Sequence, residues 1–366
     1  MARRVLALLA SVGLLMLAAV PASGANINSQ NAYVVTNLQS DVPGRAAHTD
    51  PNLVNGWGIA ALPTSPWWVA DNGTHRSTLY NGNTGEKVAL TVDVAGNGGP
   101  ADPTGIVSNT SPEFVITGSG GATSAARFIF DGEDGAISAW NGGPTSVVKA
   151  TSTNGAIYKG LAIGTVGTGA DAKAYLYATD FHNNHVDVLN GTFTFQHWAG
   201  AFVDPGLPAG YAPFGIQNIG GRIFVTYAKQ DADAEDEIAG PGLGFVSAFG
   251  TDGSFQGRVA SGGDLNAPWG LAMAPASWER FGGHLLVGNF GDGRINGYRW
   301  SGGSWEARGH LKLANHHPIV IDGLWGIGFG NNNGSNSGGA GPTSTLFFAA
   351  GPDDETHGLF GSISAP

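Results

Sequence analysis

Histidine and carboxylate side chains in this sequence gather where a short apolar segment ends and a turn begins. Imidazole and carboxylate together are ligands for zinc, copper, nickel or iron, whereas carboxylate with amide oxygens suits calcium. The pattern therefore makes a divalent cation, calcium or a transition metal, the candidate cofactor. The competing interpretation is that Asp and Asn open these turns because their side chains cap the local backbone. The candidate metal ligands are Asp71, His75, Asp180, His182, His185, Asn289, Asp353 and His357.

A second group of polar residues precedes two of the repeated segments described below. His316 and His317 are candidates for moving a proton during catalysis, because histidine titrates near neutral pH. His48 and Asp50 are candidates for binding a ligand.

An acidic run, Asp231–Glu237, stands apart from these candidates. It is either a solvated loop or a calcium site, although its spacing is not that of an EF-hand. Lys229 precedes the run and can turn inward, which makes it a further candidate for ligand binding.

The elements that must position these residues repeat along the chain. Each repeat begins with one residue, most often bulky, then Gly, then Ile or Leu, as in Trp57-Gly58-Ile59. Successive glycines are 47, 55, 55, 55 and 56 residues apart, and a fixed period of this length is typical of repeat architectures. The glycines are Gly58, Gly105, Gly160, Gly215, Gly270 and Gly326.

Each repeat continues with an aromatic-rich second strand, a turn, a third strand and a fourth. Four short antiparallel strands repeated six times predict an all-β fold, a six-bladed β-propeller of four-stranded antiparallel blades. The last repeat stops after its third strand, so the N-terminal strand, residues 33–38, is expected to complete it and close the ring. Residues 114–117 and 331–341 are expected to be insertions. The predicted fourth strands include Lys87–Val94, Phe195–Ala201 and Ala307–Leu313.

In a propeller, the loops from second to third strand and the loops between blades lie on one face, around the mouth of the central channel. Most of the candidate residues fall on this channel-mouth face. Glycine lets the innermost strands approach closely, and the Ile or Leu after it points into the space between blades. The residue before the glycine packs between blades or lines the channel, which adds Trp57, Trp269 and Trp325 to the ligand-binding candidates.

Composition narrows the class of protein and its compartment. The absence of cysteine excludes disulfides, thiolate metal sites and a cysteine nucleophile. A basic pair, an apolar run and small residues predict a signal peptide over residues 1–25, cleaved after Ala22 or Ala25. Two of the 17 basic residues lie in that segment, which leaves 15 against 28 acidic ones and argues against nucleic acid as a partner.

We therefore expect a secreted protein, or a periplasmic one if the host has an outer membrane. Residues 26–366 are expected to form one propeller domain that is monomeric and has no membrane span after cleavage.

Four strings in the chain are distinctive: Asn31–Asp41, Asp50–Ile59, Tyr227–Ala232 and Asn266–Gly270. They resemble a family of secreted bacterial propeller proteins of uncharacterised function, and the resemblance covers almost all of the mature chain. More broadly, the chain is similar to six-bladed NHL-like and lactonase-like propellers. The calcium lactonases of that wider group hold their metal with carboxylates and amides around the channel, which implies Asp71, Asp180 and Asn289 as candidates by position.

The predicted function is the binding of a small ligand or a cation at the channel-mouth face. One alternative is a metal-dependent hydrolase or lyase acting on an extracellular ester, lactone or sugar. In that alternative the cation polarises the scissile oxygen, and His316 or His317 moves the proton. The other alternative is an interaction scaffold on the cell surface. Whether the protein is an enzyme stays open, because fold analogy does not establish function.

Overall fold

The computed structural model of the protein describes residues 30–331 and 339–366. The regular structure of these residues consists of β-strands and three short 3-10 turns, Asn72–Thr74, Gly169–Asp171 and Glu279–Phe281. The described residues hold no helix long and apolar enough to span a membrane. The signal peptide predicted over residues 1–25 lies outside the described residues.

Six antiparallel sheets form the blades of a β-propeller, which confirms the predicted fold. We name the strands of each blade A to D from the channel outward. Blades 1 to 3 contain, in this order, Gly56–Ala60, Trp67–Asp71, Arg76–Tyr80 and Lys87–Asp93; Pro103–Ser108, Phe128–Gly132, Ala136–Trp140 and Val147–Thr151; and Tyr158–Val166, Lys173–Asp180, His185–Asn190 and Phe195–Gln196. Blades 4 to 6 contain Tyr211–Ile219, Arg222–Gln230, Phe245–Gly250 and Phe255–Ser261; Pro268–Met273, Leu285–Asn289, Ile295–Ser301 and Ser304–His310; and Leu324–Phe329, Leu346–Ala350, Leu359–Ser364 and Val34–Ser40.

Three small additions accompany the blades. His48–Thr49 pairs in parallel with Val34–Ser40, and Glu237–Ile238 pairs with strand B of blade 4. The insertion predicted in blade 2 is a hairpin of Val115–Thr117 and Thr123–Ala125.

The N-terminal strand closes the ring, as predicted. It runs antiparallel to strand C of blade 6, with Val34 opposite Ser364 and Ser40 opposite Leu359. Because the last sheet is completed from the other end of the chain, strand C of blade 6 has a paired edge instead of a row of free backbone groups.

The six repeated glycines are where the innermost strands of neighbouring blades touch. A Cβ added to Gly215 would lie 2.1 Å from the carbonyl oxygen of Trp269, and one added to Gly326 would lie 2.6 Å from that of Trp57. The other four glycines likewise face the strand A backbone of the next blade. A side chain at these positions would therefore hold the inner strands apart, which is the physical reason for the repeat.

The hydrophobic core consists of six clusters, each shared by two neighbouring blades, and a seventh on the axis. Successive strand residues face opposite neighbours because side chains alternate along a strand. Trp67 packs toward blade 6, whereas Trp68 packs toward blade 2. The Ile or Leu after each glycine packs toward the preceding blade, so its predicted position between blades is confirmed.

Two of the predicted fourth strands were placed wrongly. The strand predicted over Phe195–Ala201 ends at Gln196, because the chain turns away and buries Phe202 between blades 3 and 4. The strand predicted over Ala307–Leu313 is Ser304–His310, since it starts directly after a tight two-glycine turn. Most of the insertion predicted over residues 331–341 lies outside the described residues.

Candidate functional site

Near the channel-mouth face, aromatic side chains fill the central channel. Trp57 and Trp325 stack with ring centroids 3.5 Å apart, and Trp269 packs edge-on against both. Phe290 stacks on Trp325 at 4.1 Å, and Phe214 meets its edge. The sequence left open whether these tryptophans pack between blades or line the channel, and in the structure they line the channel. Since all three are nearly buried, they form a floor below the mouth, and their part in ligand binding stays a prediction.

One lysine lies against this aromatic floor. Lys159 holds the position in blade 3 that Trp57 holds in blade 1, and its side chain is 1% exposed. Its ammonium lies 5.5 Å from the ring centre of Trp57, a cation–π distance. It also lies 2.5 Å from a carboxylate oxygen of Glu133 and 3.0 Å from one of Asp236. Burial alone would lower the pKa of Lys159, but the neighbouring carboxylates outweigh burial and raise it, so the side chain carries its charge.

Two further carboxyl groups, Glu237 and Glu355, face the same lysine. Burial raises the pKa of Glu237 to about 8, although the charge of Lys159 opposes this rise. Burial also raises the pKa of Glu355, whose Oε2 accepts a hydrogen bond from Nδ2 of Asn55 at 2.6 Å. Four carboxyl groups from blades 2, 4 and 6 therefore surround one ammonium from blade 3. We call Glu133, Lys159, Asp236, Glu237 and Glu355 the axial cluster.

The acidic run Asp231–Glu237 reaches the axial cluster only with its last two residues. The loop closes on itself through a hydrogen bond from the Asp231 amide to the carbonyl of Asp236 at 2.8 Å. Asp233 and Glu235 are exposed to solvent. The run is thus partly a solvated loop and partly a source of two axial carboxyl groups.

A second cluster lies on the channel-mouth face of blade 3. Asp180 ends strand B, while His185 and Asp187 lie on strand C. Nε2 of His185 lies 3.0 Å from Oδ1 of Asp187 and 3.6 Å from Oδ2 of Asp180. One ligand atom from each side chain lies within 4.8 Å of the other two. Among the described residues, this is the group of three histidine or carboxylate side chains close enough to share a metal ion. We call Asp180, His185 and Asp187 the blade 3 triad.

Neighbouring groups hold the side chains of the blade 3 triad in place. The Tyr158 hydroxyl donates to Oδ2 of Asp187 at 2.6 Å, which leaves Oδ1 turned toward His185. The amide and side chain of Asn183 donate to Asp180 at 3.0 and 2.8 Å. Nδ1 of His185 faces the carbonyl of Asn183 at 3.4 Å, so Nε2 is the nitrogen that meets the carboxylates. The hydrogen bond with Asp187 and the charge of Asp180 raise the pKa of His185 to about 9.

The other predicted histidine ligands each have a partner of their own. Nδ1 of His182 contacts the carbonyl of Ala234 at 3.2 Å. Nδ1 of His75 lies 2.8 Å from Asp102, and Nδ1 of His357 lies 2.7 Å from Asp41. The eight candidate ligands therefore do not share one site, because the turns that carry them are spread around the ring.

The remaining predicted ligands occupy their own turns. Asp71 is fully buried, and burial raises its pKa well above its usual range. Nδ2 of Asn289 donates to the carbonyl of Asp264, in the loop before blade 5, at 2.8 Å and to Oδ1 of Asp292 at 3.0 Å, so it does not cap the backbone of its own turn. Asp353 pairs with Arg45 at 2.6 Å.

The candidates for ligand binding outside the channel are also placed separately. Asp50 is 2% exposed and forms an ion pair with Lys87 at 2.7 Å. Nε2 of His48 faces the carbonyl of Thr84 at 3.3 Å. Lys229 is half-buried on strand B of blade 4 and does not belong to the axial cluster.

His316 and His317, the candidates for proton transfer, are exposed in the loop before blade 6. Their backbones form a turn with Leu313. They belong to neither the axial cluster nor the blade 3 triad, so a catalytic role for them stays a prediction.

Four residues of the two clusters were not among the sequence candidates: Glu133, Lys159, Glu355 and Asp187. Two of them carry a signal in the sequence. Lys159 is the charged residue at a repeat position that is elsewhere Trp, Phe or Thr. Asp187 lies two residues after His185 on the same strand, so both side chains lie on one side of the sheet.

Comparison with known proteins shows relatives along most of the chain. No family model matches it. It is 32% identical over 345 residues to uncharacterized protein R648 of Acanthamoeba polyphaga mimivirus, a match that covers 90% of this chain and 80% of that protein. It is 33% identical over 335 residues to uncharacterized protein L690 of the same virus, which covers 87% and 82%. The chain belongs to the family of these proteins. These relatives are viral, whereas the sequence resemblance was to bacterial proteins.

Solved structures share the fold at low identity. A streptogramin B lyase matches with a TM-score of 0.52 and 12% identity, covering 92% of this chain and 99% of that one. An α-L-arabinofuranosidase from Fusarium graminearum matches with a TM-score of 0.53 and 10% identity, covering 91% and 98%. At these identities the likeness shows a shared fold alone.

Proposed function

We propose that this protein is an exported propeller that binds a divalent metal ion on its channel-mouth face, with the blade 3 triad as ligands. The observation that carries the proposal is the convergence of three ligand atoms within 4.8 Å. Around a tetrahedral zinc ion with bonds of about 2.0–2.2 Å, ligand atoms lie about 3.3 Å apart. The distances from His185 to Asp187 and Asp180, 3.0 and 3.6 Å, lie on either side of that value.

The donor set favours a zinc-like ion over calcium. Calcium binds oxygen ligands, whereas imidazole suits zinc and its transition-metal neighbours. The hydrogen bond from Tyr158 to Asp187 is the kind of outer contact that orients a metal-binding carboxylate. Three protein ligands leave at least one coordination position open, and His185 is 42% exposed, so that position can be reached from solvent.

Metal analysis and thermal melting of the purified protein, before and after chelation, test the proposal. A hundredfold excess of zinc over its Kd stabilises a folded protein by about 2.7 kcal/mol. We expect this stabilisation in the wild type and its loss in His185→Gln and Asp187→Asn. The matched control is His357→Gln, because His357 also pairs with an aspartate on this face but is not part of the converging group. A zinc shift that persists in both triad variants, or is missing from the wild type, contradicts the proposal.

A metal-assisted hydrolase or lyase is the second candidate function, and the axial cluster favours it. Burial raises the pKa of Glu237 to about 8, and a group that titrates near neutral pH is suited to proton transfer. The test compares Glu237→Gln with Glu235→Gln, an exposed acid on the same loop, in assays of zinc-loaded protein on esters, lactones and glycosides. Turnover lost only in Glu237→Gln supports catalysis at the axis, whereas equal turnover in both variants counts against it.

Export rests on the basic and apolar character of the first 25 residues. N-terminal sequencing of the protein recovered from culture medium or periplasm is expected to begin at Ser23 or Asn26. An intact N-terminus in the cytoplasm would contradict export.

A further inference from the structure

A cavity opens on the face opposite the channel-mouth face, at the other end of the central channel from the axial cluster. Its volume is about 570 Å³, which lies within the range of small-molecule pockets. The inner strands of all six blades line it. Each blade contributes at least one aliphatic residue to the lining: Ile59, Ile106, Ile163, Ile219, Leu271 and Ile327.

The cavity is closed at its inner end. Further along the axis the channel narrows to a space of about 30 Å³, about enough for one water molecule, bordered by Leu161, Ile216 and Trp269. Beyond that constriction stands the aromatic floor of the other face. A molecule larger than water therefore enters and leaves by one mouth, and it cannot reach the axial cluster through the channel.

The cavity wall carries no charge among its described residues. This contrasts with the whole chain, whose net charge is −11, and with the carboxyl groups of the axial cluster. An ion moved into such a wall would lose its hydration without gaining a partner, which costs several kcal/mol. The wall therefore selects against charged ligands.

Nε1 of Trp67 and Oδ1 of Asn331 lack a partner but are fully buried, which leaves one solvent-reachable side chain in the wall available for hydrogen bonding. The side chains of Ser108 and Asn218 already donate to the carbonyls of Ala61 and Ile163 at 3.1 and 2.8 Å. The half-buried amide of Gln217 makes no side-chain hydrogen bond within the described part of the chain. Because a ligand that covered this amide without bonding to it would leave a polar group unsatisfied, the occupant needs one matching polar group.

We propose that this cavity is a second binding site, which takes a neutral small molecule carrying a hydrogen-bonding group that pairs with Gln217. This second site is independent of the metal site on blade 3, since it lies at the opposite end of the channel and shares no residue with the blade 3 triad.

Two fluorescent probes with the same ring system test the charge selection. N-phenyl-1-naphthylamine is neutral and has one N–H group, whereas 8-anilinonaphthalene-1-sulfonate adds a sulfonate. Each is titrated into the folded, full-length protein, and its gain in fluorescence gives a Kd. We expect the neutral probe to bind at least about tenfold more tightly than the anionic one, which corresponds to about 1.4 kcal/mol.

Two variants locate the site. Met273→Trp narrows the wall of the cavity and is expected to weaken binding of the neutral probe at least tenfold, while the exposed control Val203→Trp leaves it unchanged. Gln217→Leu leaves the other residues of the wall unchanged, so it reports on the hydrogen bond even if Met273→Trp fails to fold. Loss of that bond is expected to weaken binding about 2- to 10-fold. Equal binding of both probes, or binding unaffected by both wall variants, overturns the proposal.

Discussion

Replacing Lys159 by methionine tests whether charge holds the axial cluster together. The substitution keeps most of the side-chain volume but removes the ammonium that contacts Glu133 and Asp236 at 2.5 and 3.0 Å. Removing one partner of a buried ion pair costs about 3–5 kcal/mol, because the remaining charge is left uncompensated. Asp236 is 74% exposed and can regain water, whereas Glu133 is 27% exposed. We therefore expect a loss near the lower limit, about 3 kcal/mol.

The stability lost in Lys159→Met should grow at alkaline pH. The folded-state pKa of Glu237, about 8, is above its ordinary value of 4.5. Its contribution to stability is therefore fully present below pH 4.5 and is lost as the pH rises through 8. Lys159 opposes the rise of that pKa, so removing the ammonium pushes it higher and makes the alkaline loss of stability steeper. The stability gap between Lys159→Met and the wild type should thus be wider at pH 9 than at pH 7.

Thermal melting at pH 7 and pH 9 measures both effects. At roughly 2 °C for each kcal/mol, a loss of about 3 kcal/mol lowers the Tm by about 6 °C. Lys149→Met is the matched control, because Lys149 also lies over an aromatic ring, 5.7 Å from the ring centre of Phe193, but is exposed. If Lys159→Met melts within about 1 °C of that control, or if its gap to the wild type is the same at both pH values, the charge argument is refuted.

Two other predictions concern the ring and the second blade. Gly215→Ala places a Cβ 2.1 Å from the carbonyl oxygen of Trp269, so the free energy of unfolding measured in urea should fall by at least about 1–3 kcal/mol. The control Gly99→Ala has no atom within 4 Å of the added Cβ and should lower it by less than about 1 kcal/mol. Equal losses would contradict inner-strand contact as the reason for the repeat. Burial raises the pKa of Asp131 to about 7, so the contribution of Asp131 to stability is lost as the pH rises through 7. Asp131→Asn keeps an acceptor for the Gly105 amide, and between pH 5 and pH 8 its free energy of unfolding should rise by up to about 3 kcal/mol relative to the wild type. A stability difference that stays constant over this pH range would count against that pKa.

The fold could be predicted because its determinants are local and repeated. Glycine at a fixed period, as at Gly58 and Gly215, reports a backbone contact that recurs in every blade. Alternation along strand B, as at Trp67 and Trp68, reports two neighbours on opposite sides. Neither signal needs knowledge of which distant residues meet.

The sites were less predictable because their partners come from different blades. Asp180 and His185 could be proposed as ligands since one short turn joins them, but the same rule also selected His75 and His357, whose partners lie elsewhere. Glu355 is the last of three consecutive residues with left-handed backbone, Asp353 to Glu355, with φ of 57°, 52° and 64°. Such a run is unusual for residues other than glycine, and no pattern in the sequence predicts it.

The two clusters are connected through the first two residues of one strand. Tyr158 and Lys159 open strand A of blade 3, and their side chains reach different clusters. The Tyr158 hydroxyl bonds to Asp187 of the blade 3 triad, while the Lys159 ammonium bonds to the axial carboxylates. Its backbone carbonyl also accepts a hydrogen bond from Trp269 of the aromatic floor at 2.7 Å. If a bound ion displaced Asp187, the movement would therefore pass from Tyr158 to Lys159, which are joined by one peptide unit, and so to the axial cluster. The close inner-strand contacts at Gly160 leave this strand little freedom to shift without moving Lys159.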